Sequence, residues 1–129
     1  MTRLETIEKY SDIIKDTMVD HYVSVLNAMG RIQYKIYIWD NGDIECLEGV
    51  QGDNSYLKAK DSETRNLYYV CTVSAPNFDP WDYTDHAAPD NAAERDKECA
   101  EIIEYLVDEY RQNLPDVFDS ILEEAEHDW

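Results

Sequence analysis

Glycine is scarce in this chain, with four residues in 129, and so are basic side chains, eleven against twenty-nine acids. So few glycines exclude a Gly-rich loop of the kind that cradles phosphates. The three cysteines, Cys46, Cys71 and Cys99, are isolated and odd in number. They predict free thiols in a reducing cytoplasm rather than a disulfide framework. No run approaches the ~20 apolar residues that span a bilayer, and the start, Met1-Thr2-Arg3-Leu4-Glu5, lacks the apolar core of a signal peptide. The expectation is a cytoplasmic protein that stays off membranes.

Motifs of chemistry are equally thin. No cysteine pair has metal-ligand spacing, and neither His-x-x-x-His nor His-Glu-x-x-His occurs. Asp79, Asp82, Asp85 and His86 have the chemistry to hold a hard cation or zinc, but their prolines and spacing match no calcium loop. They read as a solvated acidic loop, so no metal and no cofactor is expected. Cys71 falls in a strand and Cys99 on an apolar helical stripe, where thiols are commonly inert. His21 and His127 have no nucleophile near them in sequence. With twenty-nine acids some carboxylates always lie close, so paired carboxylates carry no signal for acid–base work. The expectation is not an enzyme.

What is present is a core. The hydrophobic share is 43% with ten tyrosines, and 129 residues suffice for one folded domain, so a single acidic α+β domain over 1–129 is expected. Residues 2–29 read as one long amphipathic helix on the stripe Leu4, Ile7, Tyr10, Ile14, Met18, Tyr22, Val25 and Met29, capped by Gly30. The period then drops to two at Ile32, Tyr34, Ile36 and Ile38, a strand. Asn41-Gly42 predicts a two-residue type I′ hairpin turn that pairs Trp39 with Ile44, Tyr37 with Cys46 and Lys35 with Glu48. Residues 44–48 form the second strand, 67–74 the third, and 56–60 a short further one. This is a three- to four-stranded antiparallel β-meander with helices on one face. An acidic loop, 75–91, follows. Cys99, Ile102, Ile103, Leu106, Val107 and Tyr110 mark a helix, and Pro115 restarts it as a second one bearing Val117, Phe118, Ile121, Leu122 and Ala125.

The charge is the extreme feature. Residues 1–66 hold twelve acids and eight bases, whereas residues 67–129 hold seventeen acids and only Arg95, Lys97 and Arg111. A field of −14 over the second half repels nucleic acid and anionic membranes and attracts basic surfaces. No direct nucleic-acid binding is therefore expected, and a basic protein partner is. At ~100° per residue, Glu94, Glu98, Glu101, Asp108 and Glu109 share one helical face, and Asp116, Asp119, Glu123 and Glu126 make a second row. Ordinary solvated faces mix signs, and these do not. The rows adjoin a loop carrying Asp82 and Asp85 with Trp81 and Tyr83, residue types that serve as interface anchors.

In size, charge and carboxylate rows the chain resembles the small acidic inhibitors of phages and mobile elements that mimic nucleic acid, among them anti-CRISPR and anti-restriction proteins. The resemblance implies an inhibitor in the cytoplasm of a bacterial host, occupying the DNA- or guide-binding channel of a CRISPR effector nuclease or other nucleic-acid-binding enzyme. Trp81 and Tyr83 would be its anchors, and Asp82, Asp85, Glu94, Glu98, Glu101, Asp108, Asp116, Asp119 and Glu123 its phosphate surrogates. Two other readings compete with it. One is an acidic immunity or adaptor protein for a basic partner. The other is a small metal-dependent enzyme centred on Asp79, Asp82, Asp85 and His86.

Overall fold

The computed structural model describes residues 2–52 and 66–127. The chain is α+β, with N-terminal helices α1 (Arg3–Lys9) and α2 (Ser11–Asn27), strands β1 (Ile32–Trp39), β2 (Ile44–Val50) and β3 (Leu67–Val73), a 3₁₀ turn (Pro80–Tyr83) and α3 (Ala92–Glu126). The strand expected over 56–60 lies outside the described residues.

The first helix is bent rather than continuous. Thr2 and Glu5 open α1 with a reciprocal capping box, each side chain accepting from the other's backbone N–H at 3.1 Å. At Tyr10 the backbone leaves helical values, yet Tyr10 N–H still reaches Thr6 O and Ile14 N–H reaches Tyr10 O, both at 3.1 Å. The Tyr10 ring lies against the hairpin turn, where a Cβ on Gly42 would fall 2.6 Å from a ring carbon. The bend therefore lets one side chain reach the hairpin, while α1 is tied to β3 by Arg3 Nε, which donates to the Tyr69 carbonyl at 2.9 Å.

The hairpin differs from the sequence expectation by one residue. Ile38 pairs with Ile44, Ile36 with Cys46 and Tyr34 with Glu48. Gly42 N–H donates to Trp39 O at 2.9 Å, and Trp39 N–H to Asp43 O at 2.8 Å. Only Gly42 of the turn has positive φ, +97°. This is a three-residue loop, a type I turn closed by a glycine bulge, and not type I′, because Asn41 keeps negative φ. The slip places Lys35 opposite Leu47 and Tyr34 opposite Glu48, so Lys35 and Glu48 are not the register partners expected.

Nor is the sheet a meander. Its order is β2-β1-β3, with both neighbours antiparallel to β1. The central strand carries Ile36, Tyr37 and Ile38 buried in succession, which alternation alone does not predict. A bulge at Val70 shifts the β1–β3 register between Ile36 and Tyr37.

The C-terminal region is one 35-residue helix, not two. Pro115 sits inside it at a cost of about 3 kcal/mol, having no N–H to donate. The helix persists because the buried positions keep their period across the proline. Ile103, Leu106, Val107, Leu114, Phe118, Ile121 and Ala125 join the same core cluster as Ile7, Ile14, Met18, Val25 and Leu26. Burying each such side chain is worth about 1.5–3 kcal/mol, more than the proline removes. α3 packs along α2 and α1, so the bent N-terminal helix lies between the sheet and α3. No helix among the described residues is long and apolar enough to cross a membrane.

Candidate partner-binding surface

The continuity of α3 changes what the acids can do. Asn91 caps its start, its Oδ1 accepting from Glu94 N–H at 3.1 Å. Taken from Ile103 at ~100° per residue, Glu94, Glu98, Glu101, Asp108, Glu109, Asp116, Asp119, Glu123 and Glu126 all fall within an arc of roughly 100° on the side opposite the core. Two rows expected on separate helices are therefore one row on a single rod. From Glu94 to Glu126 it runs about 48 Å at 1.5 Å per residue. The bases Arg95, Lys97 and Arg111 lie outside the arc. α3 as a whole carries twelve acids and those three bases.

Each acid of the row is solvent-exposed except Glu98, which is half-buried. Within the row, and among the described residues, only Glu98 has a basic side chain within 4 Å, His86 Nε2 at 3.6 Å from its Oε2. Like charges at three- and four-residue spacing destabilise a helix by about 0.2–0.5 kcal/mol a pair. The row is thus held against repulsion by the opposite, apolar face of the same helix.

The 79–86 loop is built onto the N-terminal half of that row. Asp79 Oδ1 accepts from Trp81 N–H at 3.0 Å, and Pro80, buried, supplies the fixed φ that starts the 3₁₀ turn. Thr84 closes it, its hydroxyl lying 3.2 Å from Trp81 O and 2.7 Å from His86 O. The two proposed anchors part company here. Trp81 is half-buried beside His86, with ring centroids 6.4 Å apart, whereas Tyr83 is 56% exposed. Asp82 and Asp85 are exposed on the same loop.

Between loop and helix lies a groove of about 570 Å³ lined by Tyr83, Thr84, His86, Glu98, Glu101, Ile102 and Tyr105. It brings together Tyr83, Glu98 and Glu101 of the sequence-proposed residues. Asp108 lines a separate groove with Val23, Asn27 and Arg111, and Glu123 a third with Val117, Ser120 and His127. Asp116 and Asp119 lie on the open face between. Sequence reasoning missed Tyr105, which is 61% exposed. Its signal was present: on the wheel it falls inside the acid arc, off the apolar stripe.

The alternative centres do not assemble. Asp79 is engaged in capping the turn, and His86 faces Ala87 O through Nδ1 at 2.8 Å and Glu98 through Nε2. Among the described residues no three His, Cys, Asp or Glu side chains converge as metal ligands. Burial raises the pKa of all three thiols, that of Cys71 to about 12, so none is activated as a thiolate. His21 stacks on Tyr34 at 4.2 Å, and burial lowers its pKa more than Asp20 and Glu48 raise it. No family model, curated protein or solved structure matches this chain.

Proposed function

We propose that this protein is a stoichiometric inhibitor of a nucleic-acid-binding protein, acting from the cytoplasm of a bacterial host by presenting the carboxylate row of α3 to a basic channel. The single observation that carries this reading is the row itself, nine carboxylates on one face of one helix with no base among them. Where the acids stand three or four residues apart, as from Glu94 to Glu101 and from Asp116 to Glu126, they lie ~5–6 Å apart at Cβ, a step comparable with that between phosphates along a strand. The rod holds them in fixed positions, so little ordering entropy opposes docking. A basic channel gains the Coulombic attraction that it would gain from nucleic acid, and the two compete. An anti-CRISPR role, with a guide-loaded nuclease as the target, fits this competition because such channels read backbone charge and shape.

The test is DNA cleavage by a panel of guide-loaded CRISPR nucleases, with this protein added before or after target DNA at low and high salt. Inhibition only on prior addition, weakening with salt, is the expected result. Joint charge reversal at Glu98, Glu101 and Asp108 is expected to abolish inhibition with the circular dichroism spectrum unchanged. Inhibition that survives this triple variant would sink the mimicry reading for α3. Binding to a basic protein that DNA does not displace would favour the acidic adaptor instead.

A further inference from the structure

The groove between the 3₁₀ turn and α3 has a composition that the row does not share elsewhere. Tyr83 enters it from the turn and Tyr105 from the helix, each more than half exposed, and Glu98 and Glu101 lie with them. Exposed aromatic rings beside carboxylates are not what a purely electrostatic surface needs, because a solvated carboxylate attracts any cation. Ring faces add attraction for a cation that is planar and weakly hydrated.

Glu98 adds a second feature. Its Oε2 is out of solvent and has no hydrogen-bond donor among the described residues, His86 Nε2 being 3.6 Å away. The side chain as a whole is 36% exposed beside His86, so the carboxylate still presents its charge to the groove, where an N–H donor gains a charge-assisted hydrogen bond. At about 570 Å³ the groove has room for a side chain.

We infer that this groove receives an arginine side chain from a basic segment of the partner, its guanidinium against Tyr83 and Tyr105 and hydrogen-bonded to Glu98 and Glu101. Arginine fits where lysine does not. The guanidinium offers five N–H donors in a flat fork that satisfies two carboxylates at once, and it stacks on rings. An ammonium also meets ring faces, but as a strongly hydrated point charge it gains less from them and has no flat fork to span two carboxylates. The inference rests on the proposed basic partner and specifies its chemistry at one end of the row, with Ile102 as the apolar floor against the arginine stem.

The probes are two synthetic peptides of equal length and charge, one with arginine and one with lysine at every basic position, titrated calorimetrically into the full chain. The arginine peptide is expected to bind about tenfold tighter. In the Tyr83→Ala/Tyr105→Ala double variant the ratio is expected to fall to about threefold, because the ring contribution is removed and the fork on the two carboxylates remains. Glu98→Gln, which leaves both rings in place, is expected to weaken the arginine peptide more than the lysine peptide. The Asp116→Asn/Asp119→Asn/Glu123→Gln variant, far along α3, is expected to weaken both alike and keep the ratio. Equal affinity of the two peptides for the unaltered chain, or a ratio unmoved by the tyrosine variant, would overturn the inference. Arginine preference without any nuclease inhibition would sink the inhibitor reading and leave the groove standing. Inhibition without arginine preference would do the reverse.

Discussion

α2 and α3 pack against each other and are built for opposite purposes. α2 lies between the sheet and α3, and Ile14, Val25 and Leu26 are withdrawn from solvent completely. Its acids, Asp12, Asp16 and Asp20, share the region with Lys15, which lies over the Phe118 ring at 4.9 Å. α3 is the outer layer. Its best-covered residues keep a few per cent exposure, and its other side is free, acidic and unmixed. The difference teaches where a small protein can store function. A helix covered on two sides keeps only a narrow exposed strip, as at Asp12, Ile13, Asp16 and Asp20, whereas a helix covered on one side can bias its whole free face without disturbing the core.

The largest effect that would test this contrast is on stability. Ile14→Ala in α2 is expected to cost about 3–4 kcal/mol, and Ile121→Ala in α3 about 2–3 kcal/mol, because the outer site relaxes and hydrates more easily. Urea denaturation of both variants checks the order. Equal losses would mean that α3 is as deeply embedded as α2.

Next in size is Pro115→Ala, expected to stabilise by about 1–2 kcal/mol. It restores a donor to the helix and a residue of high helix propensity. A loss of stability instead would show that the proline holds a curvature that the packing against α2 requires.

The smallest effect appears only at high pH. Tyr22 and Tyr110 stack across the α2–α3 seam with centroids 4.0 Å apart. Burial is the largest cause raising both phenols above their ordinary value, and Tyr110 is raised further by Cys71 and Tyr22. The folded protein therefore holds these protons more tightly than the unfolded chain does. That contribution is fully present below the ordinary tyrosine pKa of about 10 and is lost as the pH rises above it. Denaturation midpoints should fall between pH 9.5 and pH 11 (roughly the window set by that value), and Tyr110→Phe should flatten the fall. An unchanged slope would place the alkaline sensitivity away from the seam.

Much of the fold was legible because hydrophobic period is a local property. Stripe, alternation and stripe again gave the order of helices, strands and helix, and the inward residues Ile7, Ile14, Met18, Ile36 and Ile38 follow from it. What escaped were choices made by contact. The turn at Asp40–Gly42 takes a bulge instead of type I′, and β3 joins β1 instead of β2. Both depend on which surface a segment meets. The separation of Trp81 from Tyr83 was hidden for the same reason, since a ring's exposure depends on what folds over it, whereas the outward position of Tyr105 was legible on the helical wheel.

By itself, the sequence determined the charge, its concentration in the second half, and the spacing of carboxylates along each stretch of helix, because composition and helical period are carried by neighbouring residues. Only the tertiary structure decided that those stretches are one rod. Pro115 opposes continuity locally, and burial of Leu114, Phe118, Ile121 and Ala125 against the N-terminal helices outweighs it.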